Sequence, residues 1–443
     1  MKYYLIIGLS VWLHAADCLV TATLAPAVVA DLGGVAYVNW LITLYEAGAV
    51  VSGAAIAAAC QRYGLKRAFL AGALVYGFGC MVAAMSPNMT LVLSGRLLQG
   101  LGGGALLSIS YVATYQWFEE DRWPRIFGIV AAVWGAGSLL GPLIGGVFAD
   151  HFGWRMAFWV FAALSVALAA LMLVVLPAQP QRPGHTARWP VATIAVLSLG
   201  TLLIAEAGVA GSAPLALLAC AAGGALLYAS ALLDRKARVR LLPLEILDLR
   251  KPLGAGLAMI FALSVATTGF WAYGPLILKV LYGIDPLISG YILAIEAIAW
   301  SLGTMAVSGG HGFSDRALIR AGILCICVGV AGFAAAVPVG SLYALAACAI
   351  AQGVGFGIGW PSIVTRCVRM GGDDQALASA APATLQRIGY AVGTAFAGVL
   401  ANMSGLAEGV QAAGARVAGF WVFAGFVPLL VVGIKYGWRF TRA

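Results

Sequence analysis

Of 443 residues, 62% are hydrophobic and only 10% are charged; soluble domains carry roughly a quarter charged residues, so a water-soluble protein is excluded. A mean hydropathy of +0.96 and 57 glycines also exclude disorder, a secreted disulfide scaffold and a soluble enzyme with a small anchor, because glycine is commoner in membrane helices than in soluble ones. The formal net charge of +9 requires no nucleic acid, since basic residues in cytoplasmic loops produce the same excess.

A helix needs about 20 apolar residues to cross the hydrocarbon. In chain order, runs of that kind fall at 4–30, 36–60, 68–86, 89–118, 126–149, 157–176, 190–210, 213–233, 253–282, 286–308, 317–338, 341–366, 376–402 and 417–438. They predict an all-α polytopic membrane protein of fourteen spans, the weakest pair being 190–210 and 213–233, separated only by Gly211–Ser212. The apolar N-terminal run continues past Asp17 into a full span and so reads as a helix, not a signal peptide. With both termini cytoplasmic, every one of the 26 Lys and Arg falls on that side except five: Arg155, Lys279 and Arg416 outside, Arg96 and Arg387 within spans. That asymmetry is what the positive-inside rule expects.

The eight cysteines sit in or at the ends of spans, none at metal or redox spacing, and read as small apolar packing residues. No phosphate loop, nucleophile elbow, metal-ligand cluster or haem motif occurs, so no catalytic residue, metal or bound cofactor is expected.

The chain repeats itself. Gly137-Ser-Leu-Leu-Gly141-Pro-Leu-Ile-Gly-Gly146 returns 252 positions later as Gly389-Tyr-Ala-Val-Gly393-Thr-Ala-Phe-Ala-Gly398. One span earlier, Gln99-Gly100-Leu-Gly102-Gly-Gly104 returns after 253 as Gln352-Gly353-Val-Gly355-Phe-Gly357. Consecutive spans repeating at nearly one offset predict two homologous six-helix bundles, 1–177 and 253–443. Between them, 178–252 carries two inserted helices and a cytoplasmic linker. Repeats of this kind suit a carrier that rocks one half against the other around a midplane site.

These residues resemble the major facilitator superfamily over nearly the whole chain, in particular its fourteen-span drug:proton antiporter branch. The strongest element is Gly137-x-x-x-Gly141-Pro142-x-x-Gly145-Gly146, similar to the antiporter motif at every defined position, followed by Asp150 and Gly153-Trp154-Arg155. Arg96-x-x-Gln99-Gly100-x-Gly102 resembles the conserved-arginine motif; Asp17, Pro26 and Asp31-Leu32-Gly33 match the drug-antiporter pattern in spacing. Trp40, Tyr45, Arg387-x-x-Gly389 and the stretch Leu241-Leu-Pro-Leu-Glu-Ile-Leu also fit. The loop after span two departs: Gln61 stands where the family has an acid, before Arg62 and Gly64, whereas the second half keeps Asp315-Arg316. The resemblance implies altered gating at that loop.

A charge at the bilayer centre costs at least about 2.5–3.5 kcal/mol, so an ionisable residue there defaults to a functional hypothesis. Asp17 shares a helical face with His14 and Thr21 and reads as a carboxylate that alternately holds a proton and substrate, against the alternative of a hydrogen-bonded structural acid. Glu46 binds a cationic group or forms an inert ion pair. Glu296 reads as its counterpart at the same depth of the second half. Glu206, in the inserted pair, carries little weight. Arg96 and Arg387 are expected as charge partners of the acids, the alternative being arginines that brace helices. His14, Tyr45, Trp134, Trp271 and Trp360 are candidates to line a cavity, although such residues are individually more often packing. Glycines at every fourth position, with Pro142, predict a tight helix seam.

The expectation is therefore no enzyme but a proton-coupled exporter of small organic, amphipathic or cationic compounds, with the proton gradient as its energy source and protons, small-molecule substrate and membrane lipid as its partners. The alternative is export of a specific metabolite such as a metallophore, polyamine or amino acid derivative. The chain is expected to act as a monomer in a bacterial inner membrane.

Overall fold

The computed structural model describes residues 2–33, 40–177, 190–207, 212–284, 286–308, 312–403 and 412–442. Residues 178–189, at the start of the 178–252 stretch expected to carry two inserted helices and a cytoplasmic linker, lie outside them. Described residues form helices and no strand: α1 (Lys2–Leu32), α2 (Trp40–Tyr63), α3 (Leu65–Ala84), α4 (Met89–Trp117), α5 (Trp123–Val147), α6 (Trp154–Val175), α7 (Val191–Ala207), α8 (Ala213–Lys236), α9 (Pro252–Tyr282), α10 (Pro286–Ser308), α11 (Asp315–Val339), α12 (Leu342–Met370), α13 (Gln375–Met403), α14 (Ala412–Ala424) and α15 (Val427–Arg442). Among them, 12 spans are long and apolar enough to cross a membrane, α14 and α15 together supplying the last. The other two expected passes are α7, at 17 residues, and α13, whose Gln386–Arg387 pair interrupts an otherwise small and apolar helix.

Local chemistry sets the helix ends. Asn88 caps α4 by accepting from Leu91 N–H at 3.0 Å, and Ser314 and Ser341 cap α11 and α12 in the same way at 3.3 Å. The final expected span is two helices because Pro428, at the second position of α15, cannot donate the backbone bond that would continue α14. After α8, the Asp234 carboxylate accepts from Leu241 and Leu242 N–H at 2.8 and 3.0 Å and folds the linker back on the helix end.

The chain divides into two compact units: Met1–Leu199 with Ala229–Pro243 and Ala376–Thr384, and Gly200–Tyr228 with Leu244–Gln375 and Leu385–Ala443. In the first, α4 packs on α1, α2 and α3, while α1 also packs on α5 and α6. In the second, α12 packs on α9, α10 and α11, and α9 on α14 and α15. α1 and α9 are each 31 residues long and start 250 positions apart; α4 and α12 are each 29.

Shared backbone contacts align the two units position by position. A methyl on Gly100 would lie 2.0 Å from the Tyr45 carbonyl oxygen, and one on Gly353 would lie 2.2 Å from that of Glu296. One turn on, Gly104 meets Ala49 as Gly357 meets Trp300. Helices pack this closely in membranes because apolar side chains gain nothing by leaving lipid, so association relies on backbone-close contact at small residues. The second seam also recurs: a methyl on Gly141 would lie 2.6 Å from Leu19 Cβ of α1, and one on Gly393, 252 positions on, would lie 2.5 Å from the Val265 carbonyl oxygen of α9.

Candidate functional site

In the first unit, α1, α2 and α4 bring together a buried polar group. Arg96 Nη1 donates to Asp17 Oδ2 at 2.8 Å and Oδ1 at 3.0 Å, and its Nε donates to the Leu41 carbonyl at 2.8 Å. It also donates to Gln99 Oε1 one turn along α4. The guanidinium stands 4.4 Å from the centre of the Tyr45 ring, a cation–π arrangement. Thr21 donates to Asp17 Oδ1 at 3.2 Å. Asp17, Arg96, Gln99 and Tyr45 are all fully buried, so the charges are neutralised in place by an ion pair of good geometry with added hydrogen bonds, the condition for burying one.

Beside this pair, Tyr45 Oη lies 2.7 Å from His14 Nδ1, and the His14 ring meets the edge of Trp134 from α5 at 5.7 Å. Glu46 and Cys18 are half-buried, and the Cys18 thiol donates to Glu46 Oε1 at 3.8 Å. Cys18 is thus a polar partner, not the packing residue that its sequence context suggested. Tyr45, expected as a cavity wall, links Arg96 to His14.

The second unit builds its counterpart differently. Glu296 on α10 is buried; Gln352 Nε2 on α12 donates to its Oε1 at 2.6 Å and to the Thr267 carbonyl of α9 at 3.3 Å. Trp271 adds an indole on the same carboxyl. Glu296 Oε2 has no hydrogen-bond partner among the described residues, and none of them forms an ion pair with this acid. Sequence reading set Glu296 as the counterpart of Glu46. The glycine contacts correct this: Glu296 occupies the place of Tyr45, since each presents its carbonyl to the first glycine of the repeated Gln-Gly-x-Gly segment. The place of Arg96, 253 positions on, is held by Ala349.

The remaining candidates are dispersed. Arg387 is buried in α13. Trp360 is buried and meets Trp300 edge-on at 6.1 Å, while Trp300 stacks on Phe356 at 4.7 Å. Glu206 is exposed. Gly64 adopts φ 81° ahead of α3, Gln61 is exposed and Arg62 is half-buried. Asp315 accepts from Ser362 at 2.8 Å and Arg369 at 3.1 Å, both on α12; the exposed Arg316 beside it in sequence is not the partner these bonds select. Of the antiporter-motif glycines, Gly141 and Gly145 are pressed against Leu19 and Thr23, Gly137 has only ordinary contacts from 3.5 Å, and Gly146 has nothing within 4 Å. Pro142 lies in α5. Sequence reading named Asp31 and Trp154-Arg155 separately; the structure joins them, both side chains donating to Asp31 Oδ2. Sequence reading placed Gln99 in the conserved-arginine motif and the repeat, and Gln352 in the repeat alone, with no role in a site. Their matching positions were the signal that they serve matching sites.

The family model of the major facilitator superfamily matches residues 7–394. A probable multidrug-efflux transporter of Mycobacterium tuberculosis is 28% identical over 97% of this chain and 92% of its own. Multidrug resistance protein 3 of Bacillus subtilis is 30% identical over 38% of this chain and 33% of its own. The crystal structure of the human organic anion transporter MFSD10 shares the fold, with a TM-score of 0.71 at 13% identity, covering 98% of this chain and 99% of that one. With its helices, repeated seams and buried charges, the chain belongs to the major facilitator superfamily and is an integral membrane transporter.

Proposed function

We propose that the protein is a proton-coupled antiporter that exports small amphipathic or cationic organic compounds, and that Glu296 is the carboxyl at which proton and cargo exchange. The observation that carries this reading is the contrast between the two units. Asp17 has its cation in place, whereas Glu296 has only neutral donors, the Gln352 amide on Oε1 and the Trp271 indole, and an Oε2 without a hydrogen-bond partner among the described residues. A buried carboxyl without a protein cation is neutralised by whatever positive species reaches it. A proton and a cationic cargo cannot occupy it together, so binding one expels the other, which is linkage between two ligands.

In this reading Asp17–Arg96 is the charge pair of the first half, and Gln352 orients the Glu296 carboxyl. Two of the named relatives are a probable multidrug-efflux transporter and a multidrug resistance protein, and drug-like cations suit an acid flanked by the Trp271 indole. The distribution of Lys and Arg supports cytoplasmic termini, and the bacterial relatives support residence in a bacterial inner membrane. The repeat supports alternating access within a single chain, which in this reading draws its energy from the proton gradient.

The test is efflux of tetraphenylphosphonium from proteoliposomes under an imposed proton gradient. The wild type is expected to drive efflux that collapses with the gradient, and Glu296→Gln to lose gradient-driven efflux at least tenfold. Full proton-driven efflux by Glu296→Gln would falsify the assignment.

A further inference from the structure

We propose that His14, Cys18 and Glu46 form a binding site for a divalent transition-metal ion of borderline softness, zinc being the type case. This goes beyond proton exchange at Glu296 and does not depend on it. One His14 ring nitrogen, the Cys18 sulfur and a Glu46 carboxylate oxygen lie within 4.8 Å of one another. His14 and Cys18 are one helical turn apart on α1, so they project from the same face, and Glu46 approaches from α2.

Imidazole, thiolate and carboxylate are the three protein ligand types of zinc, with metal–ligand distances of about 2.0–2.3 Å. Tetrahedral geometry at those lengths separates ligand atoms by about 3.3–3.7 Å. Cys18 Sγ and Glu46 Oε1 already stand 3.8 Å apart, so side-chain adjustments of an ångström or less close the site.

Charge favours it. A neutral imidazole, a thiolate and a carboxylate cancel a divalent cation, leaving no net charge in a region where charge is costly. On binding, the thiol proton now directed at Glu46 leaves to solvent and sulfur takes the metal in its place. With Nε2 as the metal ligand, Nδ1 keeps its 2.7 Å bond with Tyr45 Oη, which holds the imidazole in orientation as second-shell partners of metal-bound histidines do. Three protein ligands leave a fourth position open for an exchangeable ligand. Burial fits access as well: His14 is enclosed while Cys18 and Glu46 are half-buried. The set is also not a by-product of the repeat. The equivalent positions of the second unit, 250 on for α9 and 251 for α10, are Ser264, Thr268 and Ala297, which supply no comparable ligand set.

The test is titration of the full-length purified protein with Co²⁺ alone, followed by displacement with Zn²⁺. The expected result is one equivalent bound, with a thiolate-to-cobalt band in the near ultraviolet and intense visible bands of tetrahedral cobalt, both removed by Zn²⁺. Cys18→Ser should abolish the near-ultraviolet band. His14→Gln and Glu46→Gln should each weaken binding by more than the roughly 10- to 100-fold that loss of a second-shell partner costs. Cys220→Ser should leave the spectrum unchanged. Wild-type protein without a stoichiometric thiolate band overturns the proposal with no variant needed, and so does a band that survives Cys18→Ser in protein that remains monodisperse. The readout is equilibrium binding without a gradient, so its failure is distinct from failure of proton exchange at Glu296.

Discussion

Glu296 meets Gly353 as Tyr45 meets Gly100, carbonyl to helix backbone, yet one position carries an acid and the other a phenol. In the first unit that phenol lies under the Arg96 guanidinium. In the second, the arginine's place is Ala349 and the acid stands in the phenol's. One architecture thus holds a charge pair that is complete and a carboxyl that is not.

Breaking the complete pair should be costly. Asp17→Asn or Arg96→Gln alone leaves one buried charge without compensation, and about 3–5 kcal/mol of stability should be lost. The double variant removes both charges and should recover a substantial part of that loss, which thermal unfolding in detergent would register. If the single and double variants unfold alike, the pair does not act as a unit.

The antiporter motif is matched by sequence at every glycine, but contact demands only some of them. Gly141→Ala forces a methyl to within 2.6 Å of Leu19 Cβ and should destabilise by about 1–3 kcal/mol through overpacking. Gly146→Ala enters open space and should stay within about 0.5 kcal/mol of wild type. Comparing unfolding temperatures checks this, and equal effects at the two positions would contradict the seam.

At the second-half loop, Asp315 works through Ser362 and Arg369. Asp315→Ala should therefore lower stability by up to about 1 kcal/mol, as for a partly exposed pair. Arg316→Ala should have no measurable effect. Unfolding curves of the two variants distinguish this arrangement from an Asp315–Arg316 unit, in which both would fall together.

The helices were legible because hydropathy and length decide what crosses a bilayer, and the repeat was legible because glycines at helix crossings cannot be replaced cheaply. Asp17 and Arg96 stood out in sequence as charges inside apolar spans. Their pairing needed the structure: 79 positions separate them, and only the crossing of α1 with α4 closes that distance. Glu296 was misaligned with Glu46 because counting along a helix leaves an uncertainty of one residue, which here exchanges a phenol for an acid. Contact with Gly353 removes it. Cys18 escaped notice since a cysteine in an apolar run looks like any small residue until a carboxylate from another helix faces it. The break between α14 and α15 was signalled by Pro428, but the surrounding run is apolar enough to read as one span.

The most direct measurement is proton release on cargo binding. Purified protein in weakly buffered detergent solution near neutral pH is mixed with tetraphenylphosphonium while a pH indicator is followed. The wild type should release protons in proportion to cargo bound, and Glu296→Gln should release none. Undiminished release from Glu296→Gln, or cargo binding by the wild type with no release at any pH between 6 and 8, would contradict exchange at this carboxyl.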